Sequence, residues 1–209
     1  MVRLNASNPA DAARGDLRES AGAFDRMFAA VGKVQERLER ACGALERAGV
    51  PYAIIGGNAV AVWVATIDDG AVRNTRDVNL LLNESDFAAA SAALQDVGFV
   101  QSQVMDVTVF LDGPDGKPSQ GLHVLAAGEK VKASYASAAP KVDQAQVVDG
   151  KRVIGLEALV EMKLNSFRRK DQTHLMDLIA IGLIDGSWPD RFPPTLASRL
   201  QELIDDPDG

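Results

Sequence analysis

The sequence predicts a mixed α/β (α+β) fold: a sheet of parallel and antiparallel strands flanked by helices, with a helix leading into it and a helical part closing the chain. Three observations point there. Apolar residues recur at three- and four-residue steps near both ends of the chain, the period of a helix with one buried face. Short apolar runs crowd the middle. Those runs are joined partly by turn-rich hairpin loops and partly by a helical segment, which gives antiparallel neighbours in one case and room for parallel ones in the other.

The elements follow in order. Phe24, Met27, Phe28, Val31, Val34, Leu38 and Leu45 mark a helix over residues 24–48, with Glu36 and Arg40 as an i,i+4 pair on its polar side. Gly49 ends it and Pro51 prevents its resumption. Tyr52 to Ile55 is a strand that runs into Gly56-Gly57, and Asn58 to Ala65 is a helix of small residues. A polar loop spans 66–76 and a second strand 78–82. Asn83-Glu84-Ser85-Asp86 opens a helix from Phe87 to Val97 that Gly98 ends. Strands are expected at 99–104, 107–111 and 122–126, a loop-like stretch with room for short extended pieces over 127–150, and one more strand at 151–154. Leu156, Leu159, Val160 and Leu164 form a helical stripe. Asp171 is read as the N-cap of the next helix, with the stripe Leu175, Leu178, Ile179 and Gly182, and Pro193-Pro194 opens a last one over 195–204. The expected organisation is a flexible or partly helical lead over 1–21, an α/β core with its N-terminal helix over 22–154, and a helical part over 155–209.

Composition narrows the function. The chain has 209 residues, 46% hydrophobic and 24% charged, which suits a globular domain with a real core. Its net charge of −7 excludes a general nucleic-acid coat, since phosphate binding needs a basic surface. A single cysteine, Cys42, excludes an internal disulfide and a Cys-rich zinc site. The longest apolar stretch, Ala59 to Thr66, is far short of the roughly 18 residues a membrane span takes. The first residues carry no apolar core of a secretory signal, so a cytoplasmic protein with no membrane association is expected.

Two constellations bear chemistry. Gly56-Gly57-Asn58 sits between a strand and a helix; glycines let backbone approach a ligand, and a helix start offers free N–H groups to phosphate. An ordinary tight turn reads the same way. Asp77 and Asn79 stand two apart at the opening of a strand, so their side chains share a face and their oxygens can converge on a hard cation. A solvated strand edge is the plain alternative.

In combination, strand, Gly-Gly, helix and an Asp-x-Asn pair opening the next strand, the sequence resembles the nucleotidyltransferase fold of the DNA polymerase β superfamily. It looks most like the small bacterial members, including the abortive-infection (AbiEii-like) branch. Leu159-Val160-Glu161-Met162-Lys163-Leu164 and His174-Leu175-Met176-Asp177-Leu178 extend the resemblance to about residue 184. It implies a nucleotidyltransferase-like mixed sheet, with NTP phosphates on Gly56, Gly57 and Asn58. It further implies Mg²⁺ or Mn²⁺ on Asp77 and residue 79, Lys163 at the nucleotide, and Asp177 ordering the helical half. The implied reaction moves a nucleoside monophosphate from an NTP to a hydroxyl of an RNA, protein or other acceptor. A module that binds nucleotide or protein without catalysis is the competing reading. A toxin paired with an antitoxin partner, or a homo-oligomer, is compatible with either.

The chain departs from the family pattern in the site itself. Asn79 stands where the family has Asp, His123 where a third carboxylate is usual, and Asn58 where a Ser follows the glycines. A weak metal site is therefore expected. His123 reads as a polar strand residue, as a general base, or as a ligand for a softer ion. Lys163, Arg168, Arg169 and Lys170 form the densest basic cluster, with Arg73 and Arg76 as further cations for a triphosphate or an RNA backbone; a solvated helix end is the bland alternative. His174 is expected at the surface or between helices, Trp63 and Trp188 in packing, and Cys42 as a small buried hydrophobe.

Overall fold

A computed structural model describes residues 9–104 and 107–206. The first eight residues of the expected lead and the last three of the acidic tail lie outside the described residues. Helix α1 spans Pro9–Arg47, so it begins upstream of the Phe24 start read from the apolar stripe. Ala, Arg, Leu and Glu dominate residues 10–19, and these are strong helix formers without need of a buried face. Its C-terminal half is anchored in the core through Leu38, Ala41, Cys42 and Leu45. Gly49, at φ 66°, makes the left-handed turn that ends it.

Seven strands form one mixed sheet: β1 (Tyr52–Ile55), β2 (Val78–Leu82), β3 (Phe99–Val104), β4 (Val107–Asp112), β5 (Leu122–Ala126), β6 (Ala145–Val148) and β7 (Lys151–Ile154). Their spatial order is β3-β4-β5-β2-β1-β7-β6. The pairs β2–β5 and β1–β7 are parallel; the hairpins β3–β4 and β6–β7, and the pairs β1–β2 and β4–β5, are antiparallel. β6 is one short extended piece within the loop-like stretch 127–150; its partly exposed side chains lack the apolar alternation that marks a strand, and pairing with β7 makes it one.

The sheet is framed by α2 (Gly56–Ala65), α3 (Phe87–Asp96), α4 (Leu156–Ser166), α5 (Arg169–Ala180) and α6 (Pro194–Asp205). Tyr52, Ile54, Leu80, Leu94, Phe99, Phe110 and Leu122 are fully buried in one core that reaches Leu159, Leu175 and Leu200 of the C-terminal helices. Each such side chain contributes about 1.5–3 kcal/mol by leaving water.

The α4–α5 corner differs from the sequence reading in a way that matters for the site. α4 stops at Phe167, whose φ of 42° is left-handed, and α5 restarts at Arg169 with Arg168 as its N-cap. Asp171 is therefore the third residue of α5 rather than its N-cap, and its carboxylate turns back to accept from Nε of Arg168 at 2.8 Å. Lys163 and Lys170 consequently lie on different helices, not on one continuous face.

Candidate functional site

β1 delivers the chain into the Gly56 turn and then at once into α2. Gly56 has φ 71°, a conformation that excludes most side chains. A Cβ there would lie 3.0 Å from Nδ2 of Asn79, and one on Gly57 would lie 2.9 Å from Oγ1 of Thr75. Both glycines thus admit side chains of the protein itself, so the room at Gly57 belongs to Thr75 rather than to a phosphate path. Among the described residues no side chain caps the start of α2 or accepts from its leading N–H groups. Asn58 is nearly buried and donates from Nδ2 to the Asp77 carbonyl at 2.8 Å, which pins the loop ahead of β2 to α2.

Asp77 is the hub of the site. Its Oδ1 accepts from Thr75 Oγ1 at 3.0 Å and faces Lys170 Nζ at 3.4 Å; its Oδ2 accepts from Asn79 Nδ2 at 3.0 Å. Burial alone would raise this carboxyl, but the Asn79 amide, the Lys170 ammonium and the Thr75 hydroxyl outweigh it and hold it at about 2. Asn79 pairs in register with His123 across the parallel β2–β5 ladder, so the two side chains share a face with Asp77. His123 Nε2 lies 3.1 Å from the Pro118 carbonyl; with the proton on that nitrogen, Nδ1 remains an acceptor. Arg76 is exposed and makes no ion pair among the described residues.

Lys163 is not at the open side of this cleft. It is 6% exposed, with Nζ 3.1 Å from Asp171 Oδ1 and 2.8 Å from His174 Nδ1. Asp171 also accepts from Ser166 Oγ at 2.7 Å and is held at about 2: burial opposes its charge, and Arg168, Lys163 and Ser166 prevail. Burial pushes the Lys163 ammonium down, against the pull of Asp171. His174 is pushed to about 4, by burial first and then by Lys163 and Lys170, so at neutral pH it is uncharged and its Nδ1 accepts from Lys163. This buried trio backs the first turn of α2: His174 Cε1 would lie 3.6 Å from a Cβ on Gly57. Asp177 accepts twice from Arg73 Nε, both at 2.8 Å, tying the 66–77 loop to α5.

The basic cluster is accordingly dispersed. Lys163 serves the interior, Arg168 pairs with Asp171, Lys170 with Asp77, and Arg169 is exposed. Sequence reasoning gave Thr75 no role, Asp171 only a capping one and His174 a place at the surface or between helices; it named Lys170 as a cation but not its pairing with Asp77. One signal was available: the stripe Leu156, Leu159, Val160 turns position 163 inward, and an inward lysine requires a buried acid. Trp63 donates to the Ile154 carbonyl and Trp188 is buried, both as packing groups. A hollow of about 380 Å³ between α1, α2 and the 149–151 turn meets this site only at its edge, through Asn58, Arg73 and Thr75, and holds none of its charged centre.

The pH dependence of stability follows from His174. Its folded-state value near 4 lies below the ordinary 6.5, so the unfolded chain binds the extra proton first. The stabilisation is complete above pH 6.5 and is lost as pH falls towards 4, by about 3 kcal/mol in all. Chemical denaturation of the protein and of His174→Gln at pH 7.5 and pH 4.5, conditions chosen to bracket about two-thirds or more of that titration, will show a steep loss only in the former.

No protein-family model and no curated protein matches the sequence. Solved structures do match by shape. The antibiotic-resistance factor ANT(2'')-Ia in solution aligns over 85% of this chain and 93% of its own, at 14% identity and a TM-score of 0.52. The fold is that of a nucleotidyltransferase. JHP933 from Helicobacter pylori aligns over 85% of this chain and 75% of its own at 18% identity (TM-score 0.48), and ANT(2'')-Ia in complex with adenylyl-2''-tobramycin over 83% and 95% at 17% identity (TM-score 0.43). At these identities the likeness is one of architecture: the mixed sheet and its flanking helices.

The nucleotidyltransferase fold brings with it the question of divalent metal, and the donor set here does not fit a two-metal centre. Asp77 has an amide and an imidazole beside it on its face of the sheet, and among the described residues no three His, Cys, Asp or Glu side chains converge. Asn79 directs its amide nitrogen, a donor, at Asp77. Two-metal centres need several anionic oxygens, which position 79 and position 123 do not supply.

Proposed function

We propose that this protein binds a nucleoside triphosphate against the start of α2 and transfers its nucleoside monophosphate to a hydroxyl acceptor. The observation that carries the reading is the convergence of Asp77, Asn79 and His123 on one face of the sheet. They stand beside an uncapped helix start, in a nucleotidyltransferase fold. In the transfer, the acceptor oxygen bonds the α-phosphorus, the bond to the β-phosphate oxygen breaks, and pyrophosphate leaves. His123 Nδ1 takes the acceptor proton. Lys170 and Arg76 supply positive charge to the triphosphate.

NTPs labelled at the α-phosphate, incubated singly with the protein and with candidate hydroxyl acceptors, should yield labelled product and pyrophosphate. Asp77→Asn and His123→Ala should each reduce the yield by about 10²-fold or more. The saturation of Asp77 by side-chain donors favours a second reading, a nucleotide-binding module without transfer; calorimetric NTP binding with no pyrophosphate release would select it. No NTP binding, with or without Mg²⁺ or Mn²⁺, sinks both.

A further inference from the structure

We infer that the Lys170 ammonium is the built-in cation of this site, standing before Asp77 where a divalent metal would be needed and making triphosphate binding independent of metal. The inference rests on the nucleotide site just proposed. Lys170 reaches Asp77 from across the cleft, from a segment 93 residues later, with Nζ 3.4 Å from Oδ1. Thr75 and Asn79 supply the other donors, so both oxygens of the carboxylate already face a proton donor or a cation. A metal ion approaching Asp77 would meet a positive charge and the nitrogen of an amide.

The fold holds Lys170 there at some cost. It is the second residue of α5, where the helix dipole disfavours a cation. Its position follows from the sharp corner at Phe167 and from Asp171, which locks that corner through Lys163, Ser166 and Arg168. Unlike Lys163, it is more than half exposed, so its ammonium can serve a phosphate oxygen while remaining close to Asp77. Lys170, Asp77 and Asn79 then form one device: the amide at 79 makes the second carboxylate unnecessary, and the lysine replaces the charge of the ion.

Two measurements test this, one of them without nucleotide. Mn²⁺ titrated alone, followed by its electron-spin resonance, should show no Asp77-dependent site in the unaltered protein. The double variant Lys170→Ala with Asn79→Asp should acquire one, and adding Asp77→Asn should remove it. In calorimetry, ATP and GTP should bind the unaltered protein in EDTA within about threefold of their affinity in Mg²⁺. Lys170→Ala should weaken binding in EDTA by about tenfold or more, and Lys170→Arg should restore most of it. The inference is overturned if the unaltered protein binds Mn²⁺ through Asp77. It is equally overturned if NTP binding requires metal and is indifferent to Lys170→Ala. A protein that binds no NTP at all defeats the proposed function, and the Mn²⁺ titration still decides the role of Lys170.

Discussion

Lys163→Ala will destabilise the protein by about 3–5 kcal/mol, because it leaves a buried carboxylate short of its cation. Asp171 is 1% exposed and would keep only Arg168, itself largely in water, as its charged partner. His174 would lose the donor to its Nδ1, and the space left behind the first turn of α2 would loosen the backing of Gly57. Urea denaturation at pH 7.5 measures the loss, a pH chosen about one unit above the ordinary His value so that His174 is neutral in both states. The resemblance noted from the sequence implies that Lys163 touches the nucleotide, and the structure turns its ammonium inward to Asp171 and His174. A stability loss below about 1 kcal/mol, the range of exposed ion pairs, together with weakened NTP affinity, would return Lys163 to the ligand.

The second large effect is at position 79. Asn79→Asp exchanges the donor 3.0 Å from Asp77 Oδ2 for a second carboxylate of the same shape. Two carboxylates so close cannot both ionise freely, and Asp77 loses a hydrogen bond it now has. Without metal the variant should lose about 1–3 kcal/mol. With Lys170→Ala added, so that no ammonium stands before Asp77, Mg²⁺ or Mn²⁺ should restore it, and the melting temperature of this double variant rises with metal concentration while that of the unaltered protein stays flat. Any transferase activity should rise with it if the rest of the cleft is intact. Adding Asp77→Asn should abolish both the metal response and the activity. A metal-independent melting curve for the double variant would mean that the restored pair does not form an ion site.

Much of the architecture was legible before any coordinates. Strands at Tyr52–Ile55 and Val78–Leu82 announce themselves as short, mostly apolar runs closed by glycines, prolines or polar clusters, because burial between two layers leaves little room for polar side chains. The Gly56-Gly57 turn and the shared face of Asp77 and Asn79 also follow from local chemistry: glycine's freedom and the two-residue period of a strand. β6 was not legible, since it exists through pairing with β7. Nor was the upstream reach of α1, which owes more to helix propensity than to the apolar stripe.

The site divides along the same line. Local sequence determined which residue types are present: one acid at 77, an amide at 79 and an imidazole at 123. It also determined that β2 turns 77 and 79 the same way. Only the tertiary structure decided their company. The parallel pairing of β2 with β5 sets His123 beside Asn79, and the corner at Phe167 sends Lys163 inward to Asp171 and His174 while carrying Lys170 across to Asp77. The physical reason is range. Backbone conformation and side-chain period act over a few neighbouring residues, and a sequence displays them. Pairing of charges across 93 residues depends on where two helices and a sheet come to rest, which burial of the whole core decides.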